Sequence, residues 1–162
     1  MKYVGRLITR VRQHTLNEGN TSTSGIPDAN FINYFNDAQF RLQSLILDEN
    51  VRAFEAQKEI SLISNQRAYN IPSDAFSKNK VTLVEWSESG DADDYTPLSL
   101  RTLRELSTES VTNPSSFALV NGQVWISPVP SSATGTLRIT YPRRLYELDL
   151  RRGQVATFTN TG

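Results

Sequence analysis

The side chains that most often carry out enzyme chemistry are sparse in this sequence. His14 is the only histidine, and the chain contains no cysteine. A Ser-His-Asp triad would have to be built around His14, but the sequence has no nucleophile-elbow motif. Thiolate and multi-histidine metal sites are excluded, and no glycine-rich phosphate loop of either common type occurs. We therefore predict that the protein is not an enzyme and binds no cofactor or metal.

The densest group of possible cation ligands lies in residues 87–94. This segment carries four carboxylates, at Glu88, Asp91, Asp93 and Asp94. Its acidic run DADDY, at residues 91–95, lacks the alternating ligand spacing and the turn glycine of a calcium loop. We interpret it as a solvated acidic loop.

Three aromatic residues, Trp86, Trp125 and Tyr141, could form a platform on which a sugar or a base stacks. Each lies inside an apolar strand-like segment, so burial in a core is the favoured interpretation. A carbohydrate-binding or adhesion module remains an alternative function on this basis.

Length and charge narrow the possibilities further. The 162 residues suffice for one ordinary domain with a core. The formal net charge is zero, so the protein as a whole has no positive electrostatic potential that would attract nucleic acid. No apolar run approaches the roughly 20 residues that span a membrane, and the N-terminus lacks the apolar core of a signal peptide. We expect a protein without membrane contact that is made and used in solution inside a cell, or is carried in an assembly.

The elements that must position these residues begin with two amphipathic segments. Val4, Leu7, Ile8 and Val11 recur at helical spacing, and the opposite face of this short helix is basic. A polar connector over residues 16–25 follows. Asp28 then starts a stronger helix that runs to about residue 47. The apolar stripe of this helix is predicted to face the core; it comprises Phe31, Tyr34, Phe35, Ala38, Leu42, Leu45 and Ile46.

After Asn50 the hydrophobic period changes from helical to two. Strand-like segments follow, and Asn121-Gly122 is the preferred turn of a two-residue hairpin. Ser99 is predicted to cap a short helix that carries Leu100, Leu103 and Leu106. The predicted class is α+β, with N-terminal helices and then an antiparallel β-domain of about six strands around one short inserted helix. The predicted segments are 1–50 (helical), 51–148 (the β-domain) and 149–162 (a C-terminal extension).

The order of these features between residues 28 and 148 resembles one family, the head-to-tail adaptor proteins of tailed bacteriophages. The resemblance rests on a helix motif at 31–38 (FINYFNDA) and a Tyr-x-Ile-Pro-x-Asp motif at 69–74 (YNIPSD). Further matching pieces follow in the same order: VTLVEW at 81–86, Pro97-Leu98, NPSSFAL at 113–119, Asn121-Gly122, ISPVP at 126–130, LRITY at 137–141, and Leu148. No single piece is specific, whereas their order and spacing together are.

The resemblance implies a structural ring subunit of the virion neck, which joins the portal to the tail and lines the DNA exit channel. Its expected partners are the portal protein, downstream tail or neck proteins, and a closed ring of about twelve of its own copies. Genomic DNA would pass through the channel without sequence recognition. Another ring component of the same virion, such as a stopper or a tail-tube protein, is the nearest alternative.

Charged residues are the expected partner-binding groups. The first helix offers Lys2, Arg6, Arg10 and Arg12 to an acidic surface of the portal or of a neighbouring subunit. A head-to-tail contact between subunits could set an acidic stretch against a basic one. The acidic stretch contains Asp91, Asp93 and Asp94, and the basic one contains Arg138, Arg143, Arg144, Arg151 and Arg152. The connector 16–25 and the tail 150–162 are expected to become ordered only in the assembly.

Overall fold

A computed structural model describes residues 6–11, 28–106, 110–111, 113–132 and 134–148. The chain divides into two compact units, at Leu45/Ile46 and at Arg144/Leu145. The first unit contains the residues up to Leu45 and those from Leu145 onward, and the second contains Ile46–Arg144. The connector 16–25 and the tail 150–162 lie outside the described residues, as do Lys2, Arg12, His14, Arg151 and Arg152. The boundaries predicted at residues 50 and 148 stay predictions.

Among the described residues of the first unit, two segments are helical. Residues 6–11 are helical (α1), and α2 spans Asp28–Glu49, so it starts at the residue that the sequence predicted. Ile8 of α1 is buried together with Phe31 and Ile32 of α2. Val11, Phe35 and Leu148 pack around this cluster. No helix in the described ranges combines the length and the apolar content that crossing a membrane requires.

The prediction that the apolar stripe of α2 faces the core was wrong for Tyr34, Leu42 and Leu45. Tyr34, Leu42 and Leu45 are 59%, 58% and 64% exposed, although Phe31 is buried. The inward face instead carries amides: Asn36 and Gln39 are half-buried and Gln43 is fully buried. Their side chains bind the backbone of residues 145–148, which lies along the helix. Hydrogen bonds to a polar backbone, rather than apolar packing, therefore select the inward face along this part of α2.

The described residues of the second unit form ten strands. Their bounds are β1 Glu55–Ser61, β2 Ala68–Asn70, β3 Leu83–Ser87, β4 Thr96–Pro97, β5 Ser99–Leu100, β6 Ser110–Val111, β7 Ser116–Val120, β8 Gln123–Ser127, β9 Val129–Pro130 and β10 Thr136–Pro142. One four-stranded sheet has the order β1-β10-β3-β4, and the other has the order β2-β8-β7-β5. Strands β6 and β9 form a separate pair.

One core joins the two four-stranded sheets. Alternate residues of β10, namely Leu137, Ile139 and Tyr141, point into it, as the period of two requires. They meet apolar residues from the other sheet, including Val124 and Ile126, which are fully buried. On β1 the same face carries Ala56 and Ile60, with Lys58 between them. β1 is the outermost strand of its sheet.

The described strands differ from the prediction in number and direction. The sequence predicted about six antiparallel strands, but there are ten, and the pairs β5–β7 and β6–β9 are parallel. The strands that were missed have only two residues each, which is too short to display a period of two. The inserted helix is a single 3₁₀ turn, Leu103–Glu105, and it follows Thr102 rather than Ser99, because Ser99 already pairs in β5.

The predicted hairpin is confirmed. Strands β7 and β8 pair in register on either side of Asn121-Gly122. Both turn residues have positive φ, at 50° and 76°, which is the requirement of a type I′ turn. This pair forms the middle of the second sheet.

Candidate assembly surfaces

The described part of α1 has the basic face that the sequence predicted. Arg6 and Arg10 are exposed, while Ile8 between them is buried against α2. The apolar side of α1 therefore packs inside its own unit, and its arginines point to solvent. That arrangement leaves a basic surface available to a partner.

The acidic loop is shaped by hydrogen bonds among its own residues. The carboxylate of Asp94 accepts hydrogen bonds from the hydroxyls of Ser87 and Ser89 at 3.3 and 3.1 Å. The N–H of Gly90 donates to the Ser87 hydroxyl at 2.7 Å, and Gly90 has a φ of +81°. Asp91, Asp93 and Asp94 remain exposed. The loop thus presents a fixed group of negative charges.

The basic stretch that was predicted to face this loop is divided by the fold. Arg138 is not part of it, because its Nε lies 2.8 Å from the Glu85 carboxylate and its guanidinium stacks on Tyr95 at 3.7 Å. Arg143 is half-buried and its N–H donates to the carbonyl of Phe54, whereas Arg144 is exposed. Among the described arginines of this stretch, Arg144 is therefore the most accessible.

The ion pair between Glu85 and Arg138 belongs to the first sheet. The two residues lie directly opposite each other on β3 and β10, and Glu59 of β1 lies opposite Arg138 on its other side. The Glu85 hydrogen bond raises the pKa of Arg138, and burial, with the nearby Glu59 carboxylate, raises the pKa of Tyr95. Arg138 therefore lies opposite a carboxylate on each neighbouring strand, and this arrangement favours one register of β1, β10 and β3.

Two exposed apolar surfaces were not anticipated. The first, the α2 stripe, consists of Tyr34, Leu42 and Leu45 on one side of the helix. The second, the leucine patch, consists of Leu100 and Leu103, which are 63% and 50% exposed. Large apolar side chains gathered at the surface of a small protein indicate a site of association. Helical spacing showed that the α2 stripe is apolar, but it could not show that the described part of the chain leaves this stripe exposed.

The two surfaces differ in the charges beside them. Along its exposed side α2 carries Asp37, Asp48 and Glu49 against one base, Arg41. The leucine patch is interleaved with Arg101 and Arg104, both exposed. The single acid beside them, Glu105, accepts hydrogen bonds from the N–H and the hydroxyl of Thr102 at 2.9 and 2.8 Å, which lower its pKa. One surface is net acidic and the other net basic.

The other chemical candidates are not assembled. Trp86 and Tyr141 belong to the inner face of the first sheet, whereas Trp125 lies on the outer face of the second, beneath Arg67 at 5.7 Å. The three rings therefore do not form one stacking platform. Within the described ranges, no group of three or more histidine, cysteine, aspartate or glutamate side chains is placed to hold a metal ion.

The motif YNIPSD has a structural role. Tyr69 is buried in the core, and its hydroxyl oxygen accepts the N–H of Ile63 at 3.1 Å. Ile71 is buried in the same core. Asp74 accepts a hydrogen bond from the Tyr141 hydroxyl at 2.9 Å, and its carbonyl accepts the N–H of Arg144 at 2.7 Å. Through Asp74, the motif thus connects the segment that follows β2 to the end of β10. These contacts explain why a tyrosine, an isoleucine and an aspartate occur at these three positions.

Comparison with known proteins identifies the family of the chain. No curated protein matches the chain. The model of a protein family described as SU10 adaptor protein matches residues 2–151, which is most of the sequence. The resemblance drawn from the motifs is confirmed by this match. The chain belongs to the SU10 adaptor proteins, a family of phage head-to-tail adaptors.

Proposed function

We propose that the chain is a ring subunit of a tailed-phage neck, which joins the portal to the tail and lines the channel through which DNA leaves. Membership of the adaptor family makes the protein a structural component of the virion. The single observation that carries the finer proposal is the α2 stripe, three large apolar side chains that are each more than half exposed. Exposing such a face is unfavourable in a free monomer and is offset when a partner covers it.

The proposed ring contains about twelve copies, the number that the resemblance to portal-bound adaptors implies, and a closed cyclic arrangement of them satisfies every subunit's contacts. The partners are the portal on one side and further neck or tail proteins on the other, with assembly in the host cytoplasm. DNA passes without sequence recognition. The zero net charge of the chain suits a wall that does not bind DNA tightly.

Particle mass tests this proposal directly. The purified protein is mixed with portal and measured by mass photometry or native mass spectrometry, with each component alone as the control. The expected product is a portal carrying about twelve added subunits. A portal that gains no mass at any protein concentration would overturn the proposal, and stable binding only to a tail-side protein would favour a stopper or tail-tube component.

We propose further that α1 docks on the portal or on a neighbouring subunit through its basic face. Lys2, Arg6, Arg10 and Arg12 are the residues proposed for this contact. Replacing Arg6 and Arg10 by Ser should weaken portal binding, most strongly at low salt, while the fold is retained, because both side chains are exposed. Ile8→Ser is the matched control, since it disturbs the cluster with Phe31 and Ile32 instead. Deletion of residues 1–15 with unchanged portal binding would remove the docking role.

Charged rims between subunits complete the proposal. Asp91, Asp93 and Asp94 of one copy face Arg143, Arg144, Arg151 and Arg152 of the next, and such exposed pairs set register more than they add affinity. Reversing the four arginines to Glu should impair ring assembly at low salt. Reversing the three aspartates to Lys in the same chain should restore it. Unimpaired assembly after the first change alone would show that the two stretches do not meet.

A further inference from the structure

The α2 stripe and the leucine patch have complementary properties, and both occur on the same chain. Each is an apolar surface exposed in the single chain, formed by Tyr34, Leu42 and Leu45 on one side and by Leu100 and Leu103 on the other. We propose that the α2 stripe of one copy packs on the leucine patch of the next copy, and that this contact is the apolar centre of the subunit interface. The proposal rests on the ring-subunit function proposed above and identifies which surfaces of the chain meet.

Charge favours this pairing over other pairings of the same surfaces. The exposed side of α2 has three acids, Asp37, Asp48 and Glu49, against Arg41, and Lys80 pairs with Asp48 at 3.0 Å. The leucine patch has two arginines against Glu105, which is held by Thr102. Packing two α2 stripes together would bring like charges together, whereas packing α2 on the patch brings acids to arginines.

The dimensions also agree. Leu42 and Leu45 are three residues apart on a helix, so their side chains lie on neighbouring positions of one face. Asp37 and Glu49 are separated by about 18 Å of helix axis and lie on either side of these leucines along it. The segment from Leu100 to Arg104 can span at most about 14 Å. The leucine patch is therefore short enough to seat between the acidic ends of the α2 surface.

A contact between two different surfaces has a direct consequence for assembly. Each copy offers one α2 stripe and one leucine patch, so every copy can bind one neighbour on each side. Such head-to-tail contacts build rings when the rotation closes, whereas a helix-to-helix contact would stop at a dimer. The second copy is therefore the one occupant that covers both exposed surfaces at once.

Cysteine crosslinking distinguishes these arrangements, because the natural chain contains no cysteine. Two single variants, Leu45→Cys and Leu103→Cys, are prepared separately and treated with a short bismaleimide in the assembled state, alone and as an equimolar mixture. We expect a crosslinked dimer in the mixture and none in either variant alone. Ile63→Cys replaces Leu103→Cys in the control mixture, since Ile63 is 54% exposed but belongs to neither surface.

Several results would overturn the inference. Crosslinking of Leu45→Cys with itself would show that α2 packs on α2. Equal crosslinking of the Ile63→Cys control would show that the reaction is not specific. Absence of crosslinks in a particle whose mass shows a ring would refute this interface while leaving the ring function intact. Absence of crosslinks in a protein whose mass stays that of one chain, even with portal, would refute both. Circular dichroism of each variant checks that the fold is retained, which the exposure of both leucines leads us to expect.

Discussion

Asn36 holds both backbone groups of Leu148. Its Oδ1 accepts the Leu148 N–H at 2.8 Å, and its Nδ2 donates to the Leu148 carbonyl at 3.2 Å. A side-chain amide offers the same donor and acceptor as a peptide unit, so Asn36 binds Leu148 much as a neighbouring strand would. Gln39 and Gln43 bind the backbone of residues 146 and 145 from the same side of α2. The segment that follows β10 is therefore fastened to the helix by amides.

Replacing Asn36 with Ala should lower the free energy of unfolding by about 1–3 kcal/mol, because it leaves two partly buried backbone groups of Leu148 without partners. Asn33→Ala is the matched control on the same helix. Asn33 is exposed, so its loss should change stability by no more than about 0.5 kcal/mol. Chemical denaturation of both variants measures the difference, and equal values would contradict the role assigned to Asn36.

Arg138→Met should destabilise the first sheet by about 3–5 kcal/mol, since it leaves the carboxylate of Glu85, whose side chain is only 10% exposed, without its cation. The double variant with Glu85→Gln should recover part of this loss. Arg52→Met is the comparison: Arg52 pairs with Glu55 at 3.7 Å, but its side chain is 79% exposed, so the expected cost is below about 1 kcal/mol. Similar losses at Arg52 and Arg138 would refute the argument from burial.

Tyr69 should make stability fall at alkaline pH. Burial raises its pKa above the ordinary value of 10.0, so the folded state favours the neutral phenol. Its contribution is complete below pH 10 and is lost as the pH rises from there through the higher pKa of the folded state, by up to about 1.4 kcal/mol per pH unit. Tyr69→Phe should be less stable at pH 7 but lose less between pH 9 and 11. Parallel profiles for wild type and Tyr69→Phe would count against this account.

Gly135→Ala should be more destabilising than Gly90→Ala. Both glycines have positive φ, +99° and +81°, so both substitutions carry a conformational cost of about 1–2 kcal/mol. At Gly135 the new Cβ would also lie 2.6 Å from the backbone oxygen of Ser87, whereas at Gly90 the nearest atom is a Thr136 side-chain oxygen at 3.2 Å. Thermal unfolding compares the two variants. A loss at Gly90 as large as that at Gly135 would mean that the contact with Ser87 is not limiting.

The parts of the fold that could be predicted from sequence depend on local rules. Asn121-Gly122 identified its hairpin because few residues adopt two successive positive φ angles. Alternation identified the inner face of β10, and an N-terminal capping residue identified the start of α2. Each of these signals is complete within a few neighbouring residues.

The parts that were missed depend on contacts between residues distant in sequence, or on whether a surface is covered at all. Asn36 binds a residue 112 positions away, which no local spacing announces. Tyr34, Leu42 and Leu45 repeat at core-like intervals, and that pattern is the same whether the covering surface belongs to the same chain or to another. Arg138 was grouped with its neighbours in sequence, but its pairing with Glu85 depends on strand register.

The outermost strand β1 determines whether copies brought close together could aggregate by pairing their sheet edges. An edge of seven residues that pairs with no further strand in the described part of the chain is a template for another strand, and the copies in the proposed ring would meet such edges repeatedly. Lys58 lies between Ala56 and Ile60 on the inward-facing side of this edge, where an incoming apolar strand would have to bury its ammonium group. Natural sheets use such a charge to discourage fibril-like stacking. In the ring proposed above, we therefore expect Lys58 to disfavour contacts between subunits through this sheet edge.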